Sequence, residues 1–346
     1  MKTEKEMVEL IKFNEEGYIN EGEKAYARRG EIERLAEELA KKDYKNVYLL
    51  GIGGTEFSFE PFAYLANKKS RLDFIQLNAG TLTVAWPKHL NENSLVITSS
   101  ISGTTLEAVE AVKILEKKNI DVVAFAPRDT ALAETASKVI ELELGENGGI
   151  EHVTMLLTFL IYGFLHFRGE FADYPKYSDQ ISNIFRELVD IRKAFERRAD
   201  EIAQKTYNAP YTIFTGSGSL WGETMMFSMC FLEEMQWVRT RPCRADQFFH
   251  GTLELVEKGV PVFIIKSEDE YRSIDTRVEN FCKKIQAEYY VIDPAEFSIS
   301  GLDEQFRELV SHWIVCAMLS DRLSAYYERY TKHNMNYRRY YRQFEY

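Results

Sequence analysis

SLVITSSISGTTLEAVEAVKIL, which occupies residues 94–115, runs from an apolar segment through a turn of hydroxyl-bearing residues into a helical pattern. Residues 95–97 are typical of a buried strand, and the apolar residues from Leu106 onward recur at close to helical spacing. The first N–H groups of a helix lack partners and lie at the positive end of its dipole, so the turn predicts an anion site. The alternative is that Ser102 or Thr104 only caps the helix.

The composition of the turn indicates which anion it would hold. No Lys follows Gly103, and the spacing of an ATP-binding loop is absent. Hydroxyl donors without a lysine or a metal suit a single phosphate on a small sugar. We therefore expect a sugar phosphate rather than a nucleotide.

A second glycine-rich turn, GIGGT at residues 51–55, follows the predicted strand 46–50. Without a third spaced glycine it is weak support for a dinucleotide. Further strands are predicted at 72–77, 121–126 and 139–144, with helices between them. This alternation predicts a parallel sheet covered on both faces, with the ligand at the carboxyl ends of the strands, where both turns lie.

The same pattern recurs later in the chain. Strands are predicted at 211–214, 261–266 and 289–292, a Gly/Ser turn at 215–219, and helices at 220–237 and 278–287. Long helices at 151–167 and 178–206 connect the two halves, and a helix at 302–326 leads into a tail that we expect to fold back over the body. The predicted domains are 1–170, a connecting helix 171–206, a second domain 207–330 and the tail 331–346.

Composition excludes several classes of function. The chain has 346 residues and a net charge of −11, which argues against nucleic acid as a partner. Its four cysteines lack CxxC spacing, so neither zinc nor a disulfide framework is expected and a reducing cytoplasm is the default. The sequence shows no secretory signal, and no window of 18 apolar residues predicts a membrane span.

Candidate catalytic groups lie in FLEEMQWVRTRPCRADQFFHGTLEL, residues 231–255. Glu233 and Glu234 end an otherwise apolar helix face, where a raised pKa would suit proton transfer near neutral pH. His250 follows sixteen residues later and titrates in the same range. Between them lie three arginines that suit recognition of an anion, Arg239, Arg241 and Arg244. Each group alone has a structural explanation, and only their combination with the phosphate turn favours a catalytic site.

These motifs resemble those of the sugar isomerase (SIS) family. TSSISGTT is similar to the family's phosphate loop at Ser100, Ser102, Gly103 and Thr105, and GIGGT to its first ligand loop at Gly53, Gly54 and Thr55. The resemblance covers almost the whole chain. It implies an α/β fold of two tandem SIS domains, each a parallel sheet flanked by helices in a flavodoxin-like three-layer sandwich.

Within the family, the chain looks most like the fructosamine-6-phosphate (fructoselysine-6-phosphate) deglycases. The shared segments are residues 234–237 (EMQW), 248–251 (FFHG), Arg338-Arg339-Tyr340 and Glu345-Tyr346. The isomerase half of glucosamine-6-phosphate synthase is similar but more distant. Two departures are Asp246-Gln247, where relatives carry Gly-Glu, and Thr252, where they carry Pro. Gln247 cannot act as an acid or base, so these departures bear on the substrate more than on the reaction class.

The resemblance implies cleavage of a 6-phosphorylated Amadori compound to glucose 6-phosphate and an amine, without metal or organic cofactor. Glu234 would move a proton between C1 and C2, and His250, from a partner subunit, would assist ring opening. Gly53, Gly54 and Thr55 would contact substrate in a homodimer with shared active sites. From their charge alone, the tail arginines Arg338 and Arg339 are candidates to bind the amino acid's carboxylate, as are the three arginines between Glu234 and His250. An aldose–ketose isomerase and a non-catalytic phosphosugar sensor are the alternatives.

Overall fold

The computed structural model describes residues 8–344 and divides the chain into two compact units. One unit is Glu16–Ser182. The other joins Asn183–Tyr346 to the N-terminal segment Met1–Glu15, of which 8–15 are described. The domain boundaries proposed from the sequence stay a prediction, which limited proteolysis would test.

The unit Glu16–Ser182 is built on a five-stranded parallel sheet with strand order β2-β1-β3-β4-β5. The central strands β1 and β3 are buried along their whole length, as expected for a sheet covered on both faces. The strands are β1 (Asn46–Gly51), β2 (Asp73–Asn78), β3 (Ser94–Ser99), β4 (Asp121–Ala126) and β5 (Lys138–Glu141).

Helices α3, α4, α5 and α6 pack against the strands of this sheet, and α2 packs on α7. Val109 and Val112 of one helix pack with Val96 and Val122 of the strands in one fully buried cluster. The helices are α1 (Glu15–Ala27), α2 (Arg29–Ala40), α3 (Gly54–Lys69), α4 (Ala79–Val84), α5 (Leu106–Lys117), α6 (Ala131–Thr135), α7 (Ile150–Phe167) and α8 (Tyr174–Gln180).

Helix α7 requires a correction to the prediction about membrane spans. By length and composition it is apolar enough to cross a bilayer, although no such window was predicted. However, 83% of it is buried inside the protein, and it packs closely against α2. Such burial is typical of a core helix.

The second unit repeats the architecture with a four-stranded parallel sheet ordered β7-β6-β8-β9. Its first three strands follow the same order as β2-β1-β3 of the other unit, which confirms the predicted repeat. The elements are α9 (Ile184–Thr206), β6 (Thr212–Gly216), α10 (Trp221–Met225), a π-helix (Met226–Met235), β7 (Thr240–Arg244), α11 (Ala245–Phe248), β8 (Val262–Ile265), α12 (Arg272–Lys284), β9 (Tyr289–Ile292), α13 (Arg307–Cys316), a second π-helix (Ala317–Leu323) and α14 (Ser324–Thr331).

Several of these elements were not predicted from the sequence, among them β7, α11 and both π-helices. Strand β7 contains Pro242, which usually argues against a strand, but β7 is an edge strand and there a missing N–H is tolerated. The predicted helix 220–237 is α10 followed by a π-helix that ends at Met235. The predicted helix 178–206 is also interrupted, since α8 ends at Gln180 and α9 begins at Ile184.

A buried ionic network ties the N-terminal segment 8–15 to its unit. Arg322, fully buried, donates to Glu196 of α9, and the backbone of Ile11 bonds to both of these side chains. Arg192 pairs with Asp321. Each buried charge therefore has an opposite partner, without which burial would be costly.

Candidate functional site

The turn after β3 gathers three hydroxyls, as its sequence predicts. The Ser100 hydroxyl oxygen lies 3.0 Å from that of Thr105 and 3.4 Å from that of Ser102. The backbone N–H of Gly103 donates to the Ser100 hydroxyl at 3.0 Å. Because its oxygen accepts this bond, the Ser100 hydroxyl is held beside the hydroxyls of Ser102 and Thr105.

The N-terminus of α5 is left open by this arrangement. Thr105 is the N-cap residue, but its side chain makes no capping bond, since its hydroxyl lies beside Ser100. The N-cap position therefore falls on Thr105 rather than on Ser102 or Thr104. Anion binding at this turn stays a prediction, which the positive end of the helix dipole supports.

Gly103 is required by the shape of the turn. Its φ of +63° is a conformation that residues with a Cβ rarely adopt, and a Cβ built there would lie 2.1 Å from the Thr130 hydroxyl oxygen. The Gly103 carbonyl also accepts a hydrogen bond from the N–H of Leu132 at 2.9 Å. The phosphate turn is thus fixed against the segment after β4.

The GIGGT turn lies beside the phosphate turn at the carboxyl edge of the sheet. Strands β1 and β3 are neighbours with connections leading in opposite directions, and such a switch point is where doubly wound sheets bind ligands. Gly53 has a φ of +56°, and a Cβ there would touch nothing within 4 Å. Gly54 and Thr55 begin α3 directly after it. The Cβ position of Gly53 therefore faces open space.

The equivalent place in the second sheet is filled by the protein itself. Asp269, in the loop after β8, accepts bonds from the backbone N–H and the hydroxyl of Ser219, both at 2.8 Å. A Cβ on Gly218 would lie 2.3 Å from that carboxylate. The Asp269 carboxylate thus occupies the space at the switch point between β6 and β8.

Glu234 is held by the C-terminal tail. Arg338 Nε donates to Glu234 Oε1 at 2.9 Å, and the two side chains are 18% and 30% exposed. Glu234 projects from the last turn of the π-helix, a helix type found disproportionately at functional sites. The pair forms part of the wall of an open cleft of about 760 Å³, lined by Glu233, Glu234, Trp237, Val238, Arg239, Thr240, Arg338, Arg339, Tyr340 and Tyr341.

The tail is anchored by the two residues that follow Met235. The buried Gln236 side chain donates to the carbonyl of His333 at 2.9 Å and accepts from the Thr331 hydroxyl at 2.6 Å. Trp237, at a φ of +56°, places its ring 4.2 Å from that of His333. The EMQW motif therefore joins the first π-helix to the tail, which folds back as predicted.

The structure separates the two adjacent glutamates. Glu234 pairs with Arg338, whereas the exposed Glu233 accepts a hydrogen bond from the Thr240 hydroxyl. Behind them, burial raises the pKa of the Cys230 thiol to about 12, and the charges of Glu234 and Glu233 add to this rise. Cys230 is therefore a neutral thiol, unsuited to act as a nucleophile.

Of the three arginines between the predicted catalytic groups, only Arg239 lines the cleft. Arg241 donates to the carbonyl of Pro242 and to the Thr252 hydroxyl, and Arg244 lies 3.4 Å from Asp246. Both lie on the edge strand β7. The sequence offered no means of telling these arginines apart.

His250 is exposed in the turn after α11 and does not line the described cleft of its own unit. Its neighbour Phe248 is fully buried and fixes the turn through ring contacts with Phe249 and Phe281. Gln247 is exposed as well. The matched residues Glu345 and Tyr346 lie outside the described residues.

Within residues 8–344, His, Cys, Asp and Glu side chains form no group of three or more that would hold a metal ion. Sequence reasoning missed Asp269 as the residue that closes the second switch point, and missed the contacts of Trp237. Asp269 is fifty residues from Ser219, and no local pattern connects them.

No family model matches the chain. It is 27% identical over 331 residues to fructosamine deglycase FrlB from Bacillus subtilis, covering 91% of this chain and 97% of that protein. It is 23% identical over 315 residues to fructoselysine 6-phosphate deglycase from Escherichia coli, covering 90% of this chain and 89% of that protein.

Solved structures share the fold. A crystal structure from Bacillus subtilis, described as that of a phosphosugar isomerase, superposes with a TM-score of 0.84 at 23% identity. It covers 93% of this chain and 99% of that chain. The two-sheet arrangement is thus the fold of the phosphosugar isomerases.

Proposed function

We propose that this chain, an enzyme of the sugar isomerase (SIS) family, cleaves a 6-phosphorylated Amadori compound to glucose 6-phosphate and an amine or amino acid. The observation that carries the proposal is that one chain has both an open hydroxyl turn at the first switch point and a glutamate fixed by the tail. Its resemblance to fructosamine and fructoselysine 6-phosphate deglycases over nine tenths of its length supports the choice of substrate.

The phosphate binds at the turn after β3. The hydroxyls of Ser100, Ser102 and Thr105 donate to phosphate oxygens, and the first N–H groups of α5 add charge-assisted bonds. Gly53, Gly54 and Thr55 let the sugar approach the backbone closely.

Glu234 carries the proton between the two carbons next to the nitrogen. As a base it takes a proton from C1, the C1–C2 double bond of the enolamine forms, and the C2 carbonyl oxygen takes a proton from water to become a hydroxyl. Return of the C1 proton to C2, with loss of the N–H proton to water, gives an imine between C1 and nitrogen. Water then adds to C1 and the amine leaves, so that C1 becomes the aldehyde of glucose 6-phosphate.

His250 assists ring opening in this proposal, and it comes from a second copy of the chain. Its exposure is consistent with that role, as are exposed apolar side chains that a homodimer would bury, among them Ile101, Leu106, Tyr340 and Phe344. We further propose a cytoplasmic enzyme, because all four cysteines are free thiols.

The test is glucose 6-phosphate release from a substrate panel, followed with a coupled dehydrogenase. The panel holds the 6-phosphofructosyl adducts of lysine, aspartate, asparagine and glycine together with fructose 6-phosphate. Glu234→Gln should lower kcat by about 1,000-fold or more, since the proton carrier is lost. Glu233→Gln, the adjacent carboxylate, is the matched control and should retain turnover.

The possible results point to different functions. Release from an amino-acid adduct that Glu234→Gln abolishes supports the deglycase. Turnover of fructose 6-phosphate alone would identify an isomerase instead. Binding of phosphosugar without turnover of any compound would favour a non-catalytic sensor and would rule out the proposed reaction.

A further inference from the structure

The turns after β1 and β6 have the same backbone shape. Each strand ends on a glycine, Gly51 in β1 and Gly216 in β6, and a second glycine follows two positions later. These second glycines, Gly53 and Gly218, have φ angles of +56° and +53°. Because β6 pairs with β8 as β1 pairs with β3, the two turns lie at corresponding switch points, where sheets of this kind bind ligands.

What lies against the two turns differs. A Cβ on Gly53 would meet nothing within 4 Å, whereas a Cβ on Gly218 would lie 2.3 Å from a carboxylate oxygen of Asp269. That oxygen, Asp269 Oδ2, accepts hydrogen bonds from the backbone N–H and the hydroxyl of Ser219. Asp269 belongs to the loop after β8, which corresponds to the phosphate turn after β3. The second half therefore binds a carboxylate of its own at this place.

The charge of Asp269 is stabilised by hydrogen-bond donors rather than by a cation. Asp269 is 7% exposed, its Oδ1 accepts from the N–H of Tyr271 at 2.9 Å, and no described Lys or Arg forms an ion pair with it. The nearby cations pair with other carboxylates: Lys266 with Glu279, Arg272 with Asp293, and Arg307 with Glu268. Burial of an anion is costly unless its oxygens are hydrogen-bonded, so these donors form a site that holds an oxyanion without a cation.

We propose that the switch point between β6 and β8 is a second oxyanion site, to which Asp269 is bound as an internal ligand. The site is thereby closed to the phosphosugar that the first half is proposed to bind. Without the carboxylate, the N–H and the hydroxyl of Ser219 would accept a small oxyanion from solution, such as formate or a phosphate. Asp269 thus limits each chain to one phosphosugar.

The test is rescue of Asp269→Ala by anions. Loss of the carboxylate leaves the two donors of Ser219 without their acceptor, which should lower the temperature of thermal unfolding by about 2 °C or more. Formate replaces the missing carboxylate, and inorganic phosphate is the probe for a phosphate ester. At about ten times its dissociation constant, either anion should raise the unfolding temperature of this variant by about 2 °C or more relative to chloride at equal ionic strength.

Asp269→Asn is the matched control. The amide has the shape of the carboxylate and an oxygen that accepts hydrogen bonds, but it carries no charge. The place therefore stays filled, and formate and phosphate should stabilise this variant no more than the wild type. Binding of either anion at the turn after β3 is common to all three proteins and cancels in the comparison.

A specific gain in stability of Asp269→Ala in both anions is the expected result. Stabilisation by formate alone would mean a place too small for a phosphate, and equal stabilisation of all three proteins would mean no second site. Either result would overturn the inference. If Asp269→Ala does not fold in chloride, folding on addition of the anions would support the site, and failure to fold in both would count against it.

Titration of the wild type with glucose 6-phosphate is a second measurement that needs no variant. One binding site per chain is expected, and two per chain would contradict the closure by Asp269. None of these measurements depends on turnover, so the proposed deglycase reaction is tested separately.

Discussion

Asp275 is a fully buried carboxylate under the second sheet, and its charge should destabilise the folded protein near neutral pH. Burial raises its pKa to about 6, an effect that hydrogen bonds from Ser267 oppose and the charge of Asp269 increases. The unfolded chain ionises near its ordinary pKa of about 3.9. The favourable contribution of the protonated form is therefore complete below that value and is lost as the pH rises through about 6.

Asp275→Asn should therefore raise the free energy of unfolding at pH 7.5 by about 1–3 kcal/mol. Asparagine keeps an oxygen that can accept the Ser267 bonds but carries no charge. Urea denaturation of both proteins between pH 4 and pH 7.5 checks this. The difference should shrink towards pH 4, and a difference that does not change with pH would contradict the argument.

Single residues were predictable from the sequence where the chemistry is local. Ser100, Ser102, Gly103 and Thr105 lie within six positions, and their order already implies a turn with hydroxyl donors. The bond between Glu234 and Arg338 joins residues 104 positions apart, and no periodicity reveals it. Its geometry depends on how the tail returns, which only the folded structure shows.

At the scale of the elements, the two glycine turns of the first sheet allow a matched comparison. Gly103 and Gly53 both have a φ near +60°, but a Cβ on Gly103 would collide with Thr130, whereas one on Gly53 would meet open space. Gly53→Ala should cost about 1–2 kcal/mol of stability from backbone strain alone, since its φ of 56° and ψ of −131° are a combination that residues with a Cβ rarely adopt. Gly103→Ala should cost about 2–4 kcal/mol, because the turn must also move.

Chemical denaturation of the two variants measures these costs. Titration with glucose 6-phosphate should also show binding at least about tenfold weaker in Gly103→Ala, since the displaced turn no longer aligns its donors. Equal destabilisation by the two substitutions would mean that Thr130 moves aside at little cost, and that the turn is less rigid than its contacts suggest.

The elements that the sequence failed to predict have physical reasons in common. Strand β7 contains a proline that only an edge position tolerates, and edge positions depend on strand order. The π-helix has the same apolar pattern as an α-helix over its ten residues. Periodicity identifies buried faces, but it does not distinguish helices whose hydrogen bonds differ by one residue.

At the scale of the whole molecule, the proposed homodimer predicts that inactive variants rescue each other. Glu234→Gln and His250→Gln should each abolish turnover as pure proteins. If each active site takes Glu234 from one chain and His250 from the other, mixed and reassembled subunits should recover about a quarter of wild-type activity, because half of the dimers would hold one intact site.

If both groups act within one chain, every site of a mixed dimer carries one substitution and no activity returns. Sedimentation of the mixture is the control, because it shows whether subunits have exchanged. If the subunits exchange and the mixture remains inactive, the shared site is refuted.

The global architecture was the most predictable level, because alternating strands and helices leave few arrangements of a parallel sheet. The buried network of Arg192, Glu196, Asp321 and Arg322 was not predictable. In a sequence, charged residues on a helix are usually read as its solvent face. These residues are buried only because α9 packs against the second π-helix.

Because of Asp269, the two halves of the chain differ in what lies at the switch point of their sheets. In the second half the anion is part of the polypeptide, so the loops around the switch point between β6 and β8 are ordered as soon as the chain folds. In the first half a Cβ on Gly53 would meet open space, and in the proposed function the anion at these loops is the phosphate of the ligand. Ligand binding should therefore slow the local opening motions of one half and leave the fluctuations of the other almost unchanged.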